Sequence, residues 1–532
     1  MIAHIKRLLG IGKPDPSRGN SIVVNVEKLE RRVALLEDGV LEEYTVEREG
    51  DQNIVGGIFK GRVRNIEGGL KALFVDIGLD KNAFLHFWDA IPAALDGGLE
   101  EIQREGSSKG KQQKKITSKD IPDIYPVGAE IVIQVSKGPI GTKGPRVTTN
   151  ISLAGRYLVL MPFTEQFGIS RKIDDPKERA RLRKIVQNLS VPEGMGIIMR
   201  TIAQGTRARH FVRDLAMLLE QWDEIEARRA NNPAPVCIFQ EPGLIERTAR
   251  DFLTDEIDQV MCDDAETTEM IRNIAGKISR RAKRRVHYMP STGSGQPIFE
   301  RINIQKQIDE AFSRQVWLPC GGYIVIDETE ALIAIDVNTG RNRGSKDVDK
   351  MILETNIEAA QEVARQLRLR NIGGLVVIDL IDMRHRKDQQ TVYKAIKDRL
   401  RKDKAKTQVL QISPIGLMEM TRQRLNESLR DSMYEPCPYC QGRARVKTPM
   451  TMSVEIQRRL NTVIQKHRDS VGDIIVIVNS DVLNRFKSED AKLLVELERS
   501  HSGRLIFRSD PTLNRERFAI MDAATEKTID QG

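Results

Sequence analysis

Cysteine is sparse in this 532-residue chain, with five residues at Cys237, Cys262, Cys320, Cys437 and Cys440. An odd, scattered set excludes a disulfide framework and points to a reducing compartment. Histidine is also thin, and its seven residues form no paired set, so a four-ligand zinc site cannot be assembled from conventional motifs within one chain. No apolar run approaches the ~20 residues that cross a bilayer. The opening MIAHIKRLLGIGKPDP has neither the long apolar core nor the small-residue cleavage site of a secretory signal. A cytoplasmic protein is the expectation, with residues 1–21 as a disordered leader because Pro14 and Pro16 cut short any amphipathic foot. Internal repeats are absent.

Charge is plentiful but mixed. A net charge of +9 favours a polyanionic partner, yet 84 basic residues are interleaved with 75 acidic ones, so sign alone decides little. A composition 40% hydrophobic and 30% charged suits several soluble domains with real cores. Residues 22–48 read as strands divided by Asp38-Gly39 that need a partner sheet. Short strands with glycine turns over 53–149 predict a small barrel, interrupted by the polar, lysine-rich stretch 98–120. Residues 150–245 alternate strand and helix patterns. The basic segment SRRAKRRVHY before residue 290 is either a solvated helix face or an RNA track. Beyond 448, amphipathic helices around DIIVIVN predict a small α/β domain.

Asp336 and Asp379 are the most informative residues. Each lies in a short β-branched run, ALIAIDVNTGR and GGLVVIDLIDM, where a carboxylate is costly to bury without a cation. Between them, apolar residues from Val348 to Leu367 recur at helical spacing and Gly373-Gly374 ends the pattern. Strand, helix, strand makes a parallel crossover, which brings both carboxyl ends to one sheet edge. Hard oxygen ligands predict Mg²⁺ or Mn²⁺ and phosphodiester hydrolysis, with Asn338 on the same face as Asp336. The competing reading has each Asp capping a turn or helix. Asp382 is read as support for Asp379, and Asp327 as a turn residue.

Cys437 and Cys440, in CPYCQGRARV, have the spacing of a zinc knuckle but supply only half of a tetrahedral site. A two-fold axis through one zinc would take the other thiolates from a second copy and make a dimer. A CxxC without metal, or a redox pair, is the alternative. Phe74 and Phe84 suit a base-stacking platform or, alternatively, a core. Lys143, in GPIGTKGPR, is a ligand contact or a solvated loop residue, and Arg200-Thr201 is a terminal-phosphate fork or a surface salt bridge.

In order along the chain, GGLKALFVDIG, AFLHF, TTNISLAGRYLVLMP, GISRKI, EGMGIIMRT, GGYIVIDETEALIAIDVNTGR, ARQLRLRNIGGLVVIDLIDMR, GLMEMTRQR and CPYCQG resemble the catalytic region of the ribonuclease E/G family, over about residues 22–525. The resemblance implies a Mg²⁺-dependent endoribonuclease that cuts single-stranded, AU-rich RNA in ribosomal RNA maturation and messenger decay, preferring a 5′ monophosphate. It implies a multidomain α/β and β architecture. An S1 (OB-like) barrel, 53–149, is inserted in a 5′-sensor region, 150–245. An RNase H-like element takes 22–52 and 246–311, and a DNase I-like catalytic α/β domain takes 312–433. A zinc link, 434–447, and a small C-terminal α/β domain, 448–532, complete the chain. By that likeness Asp336 and Asp379 hold Mg²⁺, Asn338 positions the scissile phosphate, and Phe74, Phe84 and Lys143 grip RNA. Gly155, Val159, Arg171, Arg200 and Thr201 form the sensor, and Cys437 and Cys440 share Zn²⁺ between protomers of a homodimer, two of which make a homotetramer. The chain stops without the long scaffold arm of some members, so degradosome partners are not expected. The rival reading is a non-catalytic S1-domain RNA-binding protein.

Overall fold

The computed structural model describes residues 15–48, 54–91, 99–102, 117–139, 143–171, 173, 175–253, 256–290, 295–329, 331–341, 347–401, 403, 405–423, 428–466 and 472–531. They fall into two compact units, Met1–Ser432 and Met433–Gly532. Strands are numbered in chain order. No helix among the described residues is long and apolar enough to cross a membrane.

The first unit opens with β1 (Asn20–Val26), β2 (Glu30–Glu37) and β3 (Val40–Arg48), an antiparallel meander. Its partner strands come from far along the chain: β15 (Gln259–Cys262) and β16 (Val286–Tyr288) add in parallel, giving the order β16-β15-β1-β2-β3. Ile22, Val24, Val260 and Cys262 are buried there against Leu244, Ala249 and Ile271. The leader expected through residue 21 ends earlier, because the Asp15 N–H donates to Gln259 Oε1 at 3.0 Å and β1 begins at Asn20.

A closed barrel follows. β4 (Ile58–Glu67), β5 (Ala72–Asp76), β6 (Ala83–His86), β9 (Arg146–Thr148) and β8 (Glu130–Lys137) pair in that order, and β4 pairs β8 to close the ring. Period-two alternation sends Val63, Leu73, Val75, Ala83, Leu85, Ile131 and Ile133 inward. Of the lysine-rich stretch, residues 103–116 lie outside the described residues. Leu99–Glu101 is not loop but an edge strand, β7, in the next sheet. That sheet runs β10 (Leu153–Ala154), β11 (Leu158–Met161), β13 (Gly196–Met199), β12 (Phe167–Ser170), β7. Helices Pro176–Asn188 and Ala208–Asn231 bury Leu182, Val186, Phe211 and Leu215 with its core. β14 (Val236–Phe239) returns to pair β4 outside the ring.

The last sheet of this unit has the order β17 (Gln315–Trp317), β18 (Tyr323–Glu328), β19 (Leu332–Asn338), β20 (Gly374–Asp379), β22 (Leu417–Arg422), β21 (Thr407–Val409). β19 and β20 are parallel, joined through the helix Val348–Leu369, while the neighbouring pairs are antiparallel. Ile333, Ile335, Val337, Val376 and Ile378 face that helix at Ala360, Val363, Ala364 and Leu367. Each such aliphatic residue contributes about 1.5–3 kcal/mol on burial. The opposite face is open: Ala334, Asp336, Leu375, Asp379 and Glu419 are exposed. This corrects the premise drawn from the apolar runs. The carboxylates are not buried; they stand on the solvent side of a one-sided, mixed sheet.

In the second unit, β24 (Leu505–Ser509), β23 (Ile474–Val478), β25 (Phe518–Asp522) and β26 (Thr528–Gln531) form a four-stranded sheet. Helices Pro449–Lys466 and Ser480–Ser488 bury Ile456, Leu460, Leu483 and Phe486 against β23 and β25.

Candidate active site and nucleic-acid interface

Asp336 and Asp379 are direct partners in the parallel register of β19 and β20. Adjacent strands lie about 4.8 Å apart, so the two side chains leave the same face side by side. Two residues on, Asn338 donates from Nδ2 to Asp336 Oδ2 at 2.8 Å and fixes that carboxylate. The crossover helix secures the surroundings from behind. Asn356, fully buried, donates to the Ile381 carbonyl at 2.8 Å and accepts from the Ile381 N–H at 3.1 Å. Glu358 accepts from the Cys320 N–H at 2.8 Å and holds the β17–β18 turn. Asn356 was missed in the sequence, although a lone amide within an apolar helical stripe is a detectable signal.

Asp327 is spoken for. Arg314 grips it through Nε and Nη2 at 2.6 and 2.7 Å, and this hydrogen bonding holds its carboxyl below the usual range. Asp382 is exposed, in the segment after β20. Among the described residues no cluster of three or more His, Cys, Asp or Glu forms a ready cage for a metal. Two carboxylates beside an amide on an open face suit a hard cation that keeps several waters, which is how Mg²⁺ and Mn²⁺ bind.

On the barrel, Phe74 and Phe84 are cross-strand partners on the outer face, half-buried, with ring centroids 5.8 Å apart and edge to face. Core filling belongs instead to Leu73, Val75, Ala83 and Leu85, so both aromatics lie outside that core. Lys143 is exposed three residues before Arg146, which lies opposite Phe84. Gly144 keeps that segment close: a Cβ there would sit 2.1 Å from the Asn82 carbonyl oxygen. Phe74 and Phe84 therefore share one side of the barrel, with Lys143 in the segment that leads to Arg146.

The β12–β13 pair is parallel, with Ile169 opposite Met199, so Ser170-Arg171 and Arg200-Thr201 leave the sheet at one edge. Ser170 and Thr201 hydroxyls lie 3.2 Å apart, and Arg171 is exposed. Val159 pairs with Ile198 on the other side of β13. Arg200 Nη1 donates to the Gly155 carbonyl at 2.6 Å and to Asp251 Oδ1 at 2.7 Å, tying this guanidinium nitrogen to protein partners. Gly155 is closely packed: a Cβ there would sit 2.7 Å from Asp214 Oδ2, so a larger residue would require the Asp214 side chain to move. Burial works to raise the Asp251 carboxyl, but the charges of Arg200 and Arg250 outweigh it and hold the group below its ordinary value.

Cys437 and Cys440 form a tight turn in the second unit, with Gln441 N–H donating to the Cys437 carbonyl at 2.7 Å. Backbone N–H groups of Cys440 and Tyr439, and the Cys440 thiol, hold the Cys437 thiol below its ordinary range. That favours the thiolate a metal requires.

Residues 152–425 match the model of the Ribonuclease E/G family. The chain is 37% identical over 501 residues to Ribonuclease G of Escherichia coli K12, covering 94% of this chain and 99% of that protein. It is 35% identical over 505 residues to Ribonuclease G of Haemophilus influenzae, with 94% and 99% covered. Against Ribonuclease E of Escherichia coli K12 the identity is 37% over 470 residues, 86% of this chain and 42% of that longer protein.

Proposed function

The chain belongs to the ribonuclease E/G family and is an endoribonuclease, and from that premise we propose that it cuts single-stranded, AU-rich RNA in a Mg²⁺-dependent reaction stimulated by a 5′ monophosphate. Its setting is the cytoplasm, in ribosomal RNA maturation and messenger turnover. The observation that carries the catalytic reading is the in-register pair Asp336 and Asp379 with Asn338 bonded to the first.

Asp336 and Asp379 hold Mg²⁺, which when bound lowers the pKa of an attacking water and offsets charge on the phosphate. Asn338, anchored by Asp336, orients the scissile phosphate through its amide. The open face gives a flexible strand access that a double helix lacks. Phe74 and Phe84 stack unpaired bases, and Lys143 contacts a phosphate. Arg171, Arg200 and Thr201 read the RNA end, with Gly155 and Val159 shaping the pocket. Arg200 exchanges its Asp251 contact for a terminal phosphate, whose higher charge competes with the carboxylate. The order β16-β15-β1-β2-β3, with β2 antiparallel to its neighbours, supports the RNase H-like assignment, and the mixed sheet flanked by helices supports the DNase I-like one. Cys437 and Cys440 would hold Zn²⁺ together with the same pair of a second protomer, and two such dimers would make a tetramer.

Asp336→Asn and Asp379→Asn test this directly. Each removes a ligand charge and little shape, so cleavage of a short AU-rich RNA should fall by about 10²–10³-fold while binding changes little. Undiminished cutting by both variants would place the chemistry elsewhere.

A further inference from the structure

The open face of the catalytic sheet carries an aromatic pair that the roles above do not use. Trp317, at the end of β17, is 54% exposed, an unusual state for the largest apolar side chain. Tyr323, its cross-strand partner at the start of β18, lies with its ring centroid 5.3 Å away at 59°. Arg341 places its guanidinium carbon 5.7 Å from the Trp317 ring centroid. The arrangement is anchored: the Arg341 N–H donates to the Gly321 carbonyl at 2.9 Å, and the same turn is held by Glu358 through Cys320.

Position gives these residues meaning. Trp317 pairs with Tyr323, and Tyr323 pairs with Asn338, so the three stand in one row across the sheet. At about 4.8 Å per strand, Trp317 is roughly 10 Å from Asn338. The next row on that face contains Asp336 and Asp379. A strand lying with its scissile phosphate on the acid pair therefore passes the indole within a short reach. A flat ring with a cation over one face leaves its other face for a base and places positive charge near that base's phosphate, so stacking and charge are satisfied together.

We propose that Trp317 and Tyr323, with Arg341, form a second stacking platform that holds an unpaired base beside the bond being cut and so helps select the cleavage site. This rests on Asp336 and Asp379 being the catalytic acids. The barrel aromatics are one stacking surface; this pair, in the row of Asn338, sets the register at the scissile bond.

The test uses full-length protein and a short single-stranded AU-rich RNA with 2-aminopurine replacing one adenine at successive positions around the mapped cut. Binding is read without divalent ions, and cleavage separately with Mg²⁺. For one position near the cut, 2-aminopurine emission should fall on binding wild type and Trp317→Phe but not Trp317→Ala. KM should rise about tenfold in Trp317→Ala, with kcat within about twofold, and Trp317→Phe should restore it. Unchanged quenching and KM in Trp317→Ala overturn the proposal. So does a shift in assembly mass with unaltered RNA affinity, which would make this face a seam between protein copies. Survival of cleavage in Asp336→Asn is a different failure: it removes the acid-pair assignment, whereas the quenching result reports on stacking alone.

Discussion

Asp336 and Asp379 show how a sequence reading can bring two residues together on a premise that the structure reverses. The sequence presents carboxylates inside apolar runs, and period-two alternation then puts every second residue on one face. Nothing in one strand says whether the other face is covered, so burial was not legible, whereas the crossover and the shared edge were. The buried Asn356 is the counterpart: its role depends on Ile381, a contact that no local pattern encodes. Replacing it with Ala leaves a buried N–H and carbonyl without these partners, a loss of about 1–3 kcal/mol for each. Asn356→Ala should therefore lower the urea midpoint and reduce kcat together, because the chain just past Asp379 loosens. A second residue-scale prediction concerns acid. Asp251 has a depressed pKa, so its contribution is present above the unfolded carboxyl value near 4 and is lost as pH falls through the lower folded value. The melting-temperature gap between wild type and Asp251→Asn should be widest at neutral pH and close at pH values below the carboxylate range.

At the level of elements, short strands at close intervals with glycine turns announced a barrel, and alternation within LFVD and AFLH decides which rings point out. That decision needed the closing β4–β8 pair, a long-range contact that supplies the inside. The strand β7 went unread because three residues without strong alternation carry little signal. With Phe74 and Phe84 on the outer surface and not in the core, truncating either should leave folding almost intact. Phe74→Ala and Phe84→Ala should each raise KM for single-stranded RNA about tenfold, with melting temperature nearly unchanged. A matching loss of stability would return them to a packing role. The edge formed by β12 and β13 predicts something separable: Thr201→Ala should erase the rate difference between 5′-monophosphate and 5′-hydroxyl RNAs while sparing cleavage of the hydroxyl form.

For the whole molecule, the scarcity of ligands is itself an argument. Cys437 and Cys440 are two thiols, half of what the proposed tetrahedral zinc site needs, and the described residues hold no group of three or more His, Cys, Asp or Glu placed to hold a metal. Backbone N–H groups in that turn favour the Cys437 thiolate, the form a metal would take. Under the proposed function the ion is shared across a two-fold axis, which would make metal content and assembly one equilibrium. Replacing both cysteines with Ser should then halve the particle mass measured by light scattering at micromolar protein, and a zinc chelator should do the same to wild type. If assembly lets one protomer bind the RNA end while another cuts, the dissociated protein should also lose part of its preference for monophosphorylated RNA, since that preference draws on two sites engaged at once. An unchanged mass in the double variant would leave the CxxC turn as a structural element of its own unit.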